Sequence, residues 1–350
     1  MNPSLSRPRI AVDAMGGDFG PHVVVPGAVQ AAKRKQFDLL LVGDEARVVA
    51  ELTKLDTRGL SVRTVHASQV AEMHDKPSEA LRKKKDSSIQ VACNLIRDGQ
   101  ADGLISAGNT GVVLACSLFT LGRIEGVDRP CLATILPTER APMVLVDAGA
   151  NVDCKPLNLL QFGIMADVMS RLLLRCPEPR VALLSNGEEE GKGNQLVKET
   201  FDLFKQSSLS FVGNIEGRDL FTGDMDVVVC DGFVGNVVIK LAEGLASSMG
   251  RLLKGELRRG FFAKVGTTLA LSALKRFSRL MDYAEYGGAP LLGLNGTVIV
   301  SHGASNQKAI ANAVDMAGTL VRMGTSNLLK AGFEANKDFV HFLKRSAHAE

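Results

Sequence analysis

Short apolar runs that end in polar, glycine-rich turns recur six times along this chain, and this punctuation limits the fold more than any other feature. The first is Ile10-Ala-Val-Asp-Ala-Met-Gly-Gly-Asp-Phe-Gly-Pro21. Residues 10–12 read as a strand, Gly16, Gly17 and Gly20 let the backbone turn sharply and lie close to a neighbour, and an alanine-rich helical run follows to about Lys33. Strand, glycine turn and helix aim free N–H groups and a helix dipole at one point, which suits a phosphate or carboxylate. The same pattern also turns a corner with nothing bound, so the glycines leave both readings open.

The later runs repeat the form without repeating the sequence. Gly103–Ser106 leads into Asn109, Thr110 and a helix over 112–121; Met143–Val146 into 147–153; 181–184 into 185–194; 227–230 into 231–236; and Thr297–Val300 into 301–306. Further strands are expected at Asp38–Gly43, 60–65 and Cys131–Leu136, with Asp44, Ser87 and Ser88 as helix caps. Pro156 suits the first position of a long helix through Leu174, with Leu160, Ile164, Val168 and Leu172 near one stripe. Continuous apolar strands alternating with helices predict an α/β fold with a mostly parallel, doubly wound sheet covered on both faces. Ligands then sit outside the carboxyl ends of the strands. We expect two lobes sharing a cleft, and a polar, peripheral tail over 326–350.

Net charge is only +3, there is no Trp and there are two Tyr, which argues against nucleic-acid binding through basic grooves and aromatic stacking. The six cysteines are scattered and mostly lie in apolar runs, the habit of reduced, buried thiols in a cytoplasmic protein. No apolar signal core stands at the start, and no uncharged span reaches the roughly 20 residues that a bilayer crossing needs.

A nucleophile is not signalled. There is no G-x-S-x-G elbow, and Cys154, between Asp153 and Lys155, is the one cysteine in a charged turn. Metal ligation is not signalled either: no H-E-x-x-H occurs, and Asp13, Asp18, Asp147, Asp153 and Asp231 are spread over three strand ends, where aspartates commonly accept backbone N–H groups. Lys192, among glycines after three glutamates, is either a surface charge or a cation delivered to an anion. His302 is the histidine placed for acid–base work, or for a hydrogen bond within its turn. Asn109 and Asn236 offer amide donors beside helix starts, suited to an oxyanion or a bound phosphate.

Two basic regions remain. Arg82, Lys83, Lys84 and Lys85 form either a solvated face or a docking site for an acidic partner. Residues 249–282 carry eight Lys/Arg against Glu256 and Asp282, flanking an apolar centre that includes Phe261, Phe262, Val265, Leu269, Leu271 and Leu274. That make-up suits a helical hairpin lying in the headgroup layer of an anionic membrane, or a dimer-forming helix pair.

Taken together and in order, Val-Asp-Ala-Met-Gly-Gly-Asp-Phe-Gly-Pro (12–21), Ser-Ala-Gly-Asn-Thr-Gly (106–111), Asp-Ala-Gly-Ala-Asn-Val-Asp (147–153), Gly-Glu-Glu-Glu-Gly-Lys-Gly (187–193), Cys-Asp-Gly-Phe-Val-Gly-Asn (230–236) and Ser-His-Gly-Ala-Ser (301–305) resemble the bacterial phosphate acyltransferase family, the acyl-ACP:phosphate acyltransferases. The resemblance spans about 8–325, and Val112 stands where a small alanine is expected. It implies a three-layer αβα sandwich similar to isocitrate and isopropylmalate dehydrogenases and phosphotransacetylase, usually dimeric. It implies transfer of a long-chain acyl group from acyl carrier protein to inorganic phosphate, giving an acyl phosphate for phosphatidic acid and phospholipid synthesis. It implies no cofactor or metal, a glycerol-3-phosphate acyltransferase acting downstream, and a cytoplasmic place peripheral to the inner face of the membrane. On this reading Lys192, Asp231, Asn236 and His302 are the catalytic candidates, and Gly16, Gly17, Asp18, Ser106, Asn109, Thr110, Asn151 and Asp153 the phosphate or substrate contacts. The basic run 82–85 meets the carrier protein. Two alternatives stay open: a nicotinamide-dependent decarboxylating dehydrogenase, which requires a cluster of carboxylates, and a non-catalytic scaffold tethering carrier protein to the membrane.

Overall fold

Eleven strands join in one sheet of order β3-β2-β1-β4-β11-β10-β5-β6-β9-β7-β8, in a computed structural model that describes residues 7–280 and 283–336. The first half alternates strand and helix: β1 (Arg9–Asp13), α1 (Pro21–Arg34), β2 (Asp38–Gly43), α2 (Glu45–Leu52), β3 (Ser61–His66), α3 (Pro77–Lys83), α4 (Ser88–Arg97), β4 (Gly103–Ser106) and α5 (Thr110–Leu121). Then come β5 (Cys131–Leu136), β6 (Met143–Val146), α6 (Pro156–Met169), β7 (Arg180–Leu184), α7 (Gln195–Lys205), β8 (Ser210–Ile215) and β9 (Val227–Val229). The chain continues with α8 (Gly232–Leu257), α9 (Gly260–Leu280), β10 (Ala289–Leu292), β11 (Thr297–Val300), α10 (Gln307–Met323) and α11 (Thr325–Ala335).

The sheet is not uniformly parallel, and the departure decides where the turns go. β1 to β4 and β11 run together, but β10 is antiparallel to both β11 and β5, and β5 is antiparallel to β6. β6, β9, β7 and β8 are parallel among themselves, so they run opposite to the first group. Sheets twist by roughly 20–25° per strand, so the four steps from β4 to β6 turn the reversed strands to about a right angle rather than leaving them back to back.

Many turn residues act as helix caps. The side chains of Asp44, Asn109, Asn194, Asp231 and Asn306 each accept the backbone N–H three residues on, at the starts of α2, α5, α7, α8 and α10. Ser87 stands at the cap position of α4 without making that bond. The core of α6 differs from the single stripe expected, because residues from Asn158 to Ala166 are buried without a break. This helix is enclosed between the sheet, α7 and α11, and Leu329 and Phe333 of α11 pack into the same core. The chain end is therefore not peripheral through α11, and residues 337–350 lie outside those described. Helices α8 and α9 follow one another across a two-residue link, and α8 begins well before the 249 expected for a hairpin: it starts in the core at Gly232 and Gly235, then carries exposed Leu241, Leu245, Met249 and Leu252 outward. The hairpin's expected end at 281–282 lies outside the described residues.

Candidate active site

Two rows of strand ends carry nearly all of the polar turns. In the first, Asp13, Ser106 and Val300 stand side by side on β1, β4 and β11. In the second, Val146, Val229 and Leu183 stand side by side on β6, β9 and β7. Neighbouring strands are about 4.8 Å apart, so the loops that leave each row start within a few ångströms of one another. Gly16, Gly17, Asp18, Ser106, Asn109, Thr110 and His302 belong to the first row, and Asn151, Asp153, Lys192, Asp231 and Asn236 to the second. His302 and the other three catalytic candidates thus leave strands that run in opposite directions.

The first row is organised by Asp13, buried and with its Oδ2 accepting the Ser106 hydroxyl at 2.6 Å. Ser106 Oγ in turn accepts the N–H of Gly108 at 3.0 Å, and Asp13 Oδ1 accepts that of Met15 at 3.3 Å. Burial pushes the Asp13 carboxyl above the ordinary carboxylate range, against the bonds from Ser106, Ser88 and Met15 that pull it down. Gly16 has to be glycine, because a Cβ there would lie 2.8 Å from both Asp13 Oδ2 and the Gly108 nitrogen. The Asp18 N–H reaches the Gly303 carbonyl at 2.9 Å and joins β1's turn to that of β11.

Asn109 differs from its expected role as a ligand donor. Its Oδ1 caps α5 through Val112 N–H at 3.1 Å, and its Nδ2 donates to the Met73 carbonyl at 2.5 Å, so both ends of the amide serve the fold. His302 accepts the Ala304 N–H on Nδ1 at 3.1 Å, the turn bond that its position allowed.

The second row is organised by Asp147, which is fully buried. Its carboxylate accepts N–H groups from Leu132 (3.1 Å), Gly149 (3.1 Å), Ala150 (3.0 Å) and Asn151 (2.7 Å), and also Asn151 Nδ2 at 2.8 Å. Burial holds its pKa up while these donors pull it down. The ordered loop then receives the start of α8: Gly232 N–H donates to the Asn151 carbonyl at 2.8 Å, and Gly235 passes so close to the Asp147 carbonyl that a Cβ would sit 1.9 Å from it. Gly149, at φ 128°, lies against the side chain of Asn236. Asp231 is the cap of α8. Sequence reading grouped Asp147 with other turn aspartates and passed over Gly149; the signal was an aspartate closing an apolar strand directly before Ala-Gly-Ala.

Lys192 stands on a closed loop. Asn186 Oδ1 accepts Gly193 N–H at 2.9 Å, Lys192 N–H donates to the Glu189 carbonyl at 2.9 Å, and Asn214 Nδ2 holds that same carbonyl at 3.1 Å. Glu190 pairs with Lys205 at 2.8 Å and Glu188 with Arg218 at 3.5 Å, whereas no carboxylate among the described residues lies within ion-pair distance of the exposed Lys192 ammonium. The loop thus fixes the backbone and leaves this cation to reach outward.

The thiols are quenched. Cys154, half-buried beside Asn151, donates to the Asn151 carbonyl at 3.4 Å, and desolvation with the nearby Asp147 charge pushes its pKa up to about 12. Cys230 is buried and shifted upward as well. Among the described residues no three His, Cys, Asp or Glu side chains are grouped to hold a metal ion, so the carboxylate cluster that the dehydrogenase alternative requires is not formed there.

Of the basic run, Lys84 points inward rather than to a partner: its Nζ binds Asp75 at 2.5 Å and the Val70 carbonyl at 2.8 Å, bracing the loop that Asn109 also grips. Arg82, Lys83 and Lys85 remain exposed.

A family model described as "Fatty acid synthesis protein" matches residues 8–328. The chain is similar to the phosphate acyltransferase of Nitratidesulfovibrio vulgaris (strain DP4), at 59% identity over 336 residues that cover 96% of this chain and 97% of that one. It is similar to the phosphate acyltransferase of Oleidesulfovibrio alaskensis at 60% over 342 residues, 97% and 99% of the two chains. Among solved structures, a phosphotransacetylase from Streptococcus pyogenes superposes with a TM-score of 0.62 over 91% of this chain and 94% of that one; at 15% identity the likeness concerns the fold alone.

Proposed function

The chain belongs to the fatty acid synthesis protein family of phosphate acyltransferases and is an acyltransferase, and from that premise we propose that it moves a long-chain fatty acyl group from the thioester of acyl carrier protein to inorganic phosphate, by direct attack of phosphate on the thioester carbonyl. The products are an acyl phosphate and the free carrier protein, and the acyl phosphate serves phosphatidic acid and phospholipid synthesis through a glycerol-3-phosphate acyltransferase.

The observation that carries direct attack is the state of Cys154. Both thiols beside the second row are held protonated, Cys154 hydrogen-bonded and pushed up to about 12 and Cys230 buried and shifted upward, so neither offers a thiolate at neutral pH, whereas phosphate brings its own oxygen. The phosphate dianion needs cations and N–H donors to hold it, and the thioester oxygen needs a donor as charge develops. Lys192 supplies an unneutralised cation; Asn236, positioned against Gly149 at the start of α8, supplies the amide. Asp231 organises that start as its cap. Gly16, Gly17, Asp18, Thr110 and Asp153 are proposed as the surrounding substrate contacts, with Ser106 and Asn151, whose side chains are committed to Asp13 and to Asp147 and the Pro130 carbonyl, holding the turns behind them, and His302 as a contributor from the first row.

Arg82, Lys83 and Lys85 are proposed to meet the acidic carrier protein. The α8–α9 hairpin is proposed to pair with a second copy of the chain along the apolar stripe of α8, and to lay Phe261, Phe262, Leu269, Leu271 and Leu274 with the neighbouring Arg258 and Arg259 against anionic lipid at the inner membrane face. Phe261 and Phe262 are 75% and 88% exposed, which supports the tip as the lipid contact, while Leu274 is half-buried. Purified protein alone is expected to consume a palmitoyl-type acyl carrier thioester only when phosphate is present, with no added metal or nucleotide. Absence of phosphate-dependent consumption would leave only the scaffold reading.

A further inference from the structure

A cavity of about 490 Å³ opens beside α5, with Leu114 and Leu118 on one wall and Arg123, Arg129 and Lys155 among the other lining residues, together with Asn151. Its size falls within the roughly 300–1,000 Å³ of small-molecule sites. Two of its cations are fixed without being neutralised. Arg123 donates to the Asp128 carbonyl and Arg129 to the Asp153 carbonyl, and among the described residues no carboxylate lies within ion-pair distance of either arginine or of Lys155. Asp128, the carboxylate that lines the cavity, is already occupied by Asn158 Nδ2 at 2.7 Å. Three cations against one engaged carboxylate select an anion, and the leucine wall selects something longer than a bare ion. An acyl chain alone fits poorly, because apolar chain packed on unneutralised guanidinium groups would desolvate charge without compensation.

We infer that this cavity receives the phosphopantetheine arm of the acyl donor, with its phosphodiester on Arg123, Arg129 and Lys155 and its apolar stem along Leu114 and Leu118. This rests on the carrier-protein reading above. Asn151 links the cavity to the reacting centre: it belongs to the loop fixed by Asp147, in which Gly149 lies against Asn236, so an arm anchored here brings its thioester toward Asn236.

The test is calorimetric binding of two non-reactive probes, the hexadecyl thioether of pantetheine 4′-phosphate and the same thioether lacking the phosphate, in buffer free of inorganic phosphate. Charge-assisted bonds to a phosphate group predict a preference of at least about tenfold for the phosphorylated probe in the wild type, collapsing to under about twofold in Arg129→Gln/Lys155→Gln. In steady state the double variant is expected to raise the KM for acyl carrier protein about tenfold, the same loss read kinetically, with the KM for inorganic phosphate unchanged. No preference in the wild type, a preference that survives in the variant, or a rise in the phosphate KM alone overturns the assignment. Lack of turnover by the wild type would instead overturn the reaction, while the probe comparison still decides the cavity.

Discussion

The two rows of strand ends solve one problem in different ways. Each has a buried aspartate behind a glycine-rich turn. Asp13 spends one oxygen on a hydroxyl and reaches the turn mainly through Ser106, whereas Asp147 takes five N–H donors directly and fixes a whole loop. The second row also holds a cation with no carboxylate partner among the described residues and an amide set against a glycine, while the amide of the first row, Asn109, is consumed by the fold. On the proposed reading, the second row carries Lys192, Asp231 and Asn236, and the first contributes His302 and substrate contacts.

The largest effect that tests this contrast is on stability. Asp147→Ala orphans several buried N–H donors at about 1–3 kcal/mol each and is expected to cost at least about 4 kcal/mol, against about 2 kcal/mol for Asp13→Ala. Chemical denaturation measures both, and equal losses would erase the distinction. On activity, Lys192→Ala and Asn236→Ala are each expected to lower turnover by about tenfold or more with unchanged denaturation midpoints, the value of one charge-assisted or oxyanion contact. Wild-type turnover of Lys192→Ala at limiting phosphate would make it a surface charge.

Smaller still is a pH effect, of the same sign at Asp13 and Asp147 and read here at Asp13. Burial raises the folded pKa of Asp13 above its unfolded value, so the folded state holds the proton more tightly. The stabilisation is complete below the unfolded carboxylate pKa of about 4 and is lost as pH rises through the folded value. The stability of wild type minus that of Asp13→Asn is expected to be greater at acid than at neutral pH. A difference that grows with pH would mean the carboxylate is held ionised. Away from both rows, Leu269→Glu or Leu271→Glu at the hairpin is expected to weaken salt-sensitive flotation with anionic vesicles while soluble activity survives; equal recovery of wild type and variants refutes lipid contact there.

Most strands and their turns were legible because a buried parallel strand is a continuous apolar run and the turn after it needs glycine. β8 and β10 were not. β8 is half-exposed at the sheet edge with Gly213 and Asn214 in its run, and β10 is four residues long with Pro290 inside it. The reversal of direction was hidden with them, since two of the three antiparallel pairings that turn the sheet are made by β10; the short connection from Leu136 to Met143 was the available sign. Residue types in the turns were readable, but which aspartate caps and which organises depends on contacts from distant strands, as with Leu132 and Asp147. Lys84 read as surface charge because its partners, Asp75 and the Val70 carbonyl, belong to a loop with no periodicity of its own.

The central claim is that phosphate itself is the nucleophile. Enzyme at stoichiometric concentration, mixed with acyl carrier thioester in phosphate-free buffer, tests it through rapid-quench measurement of free carrier protein and the intact mass of the enzyme. Direct attack predicts no burst of free carrier protein and no mass gain until phosphate is added. One equivalent released, with an acyl group found on Cys154 or any serine, would contradict it.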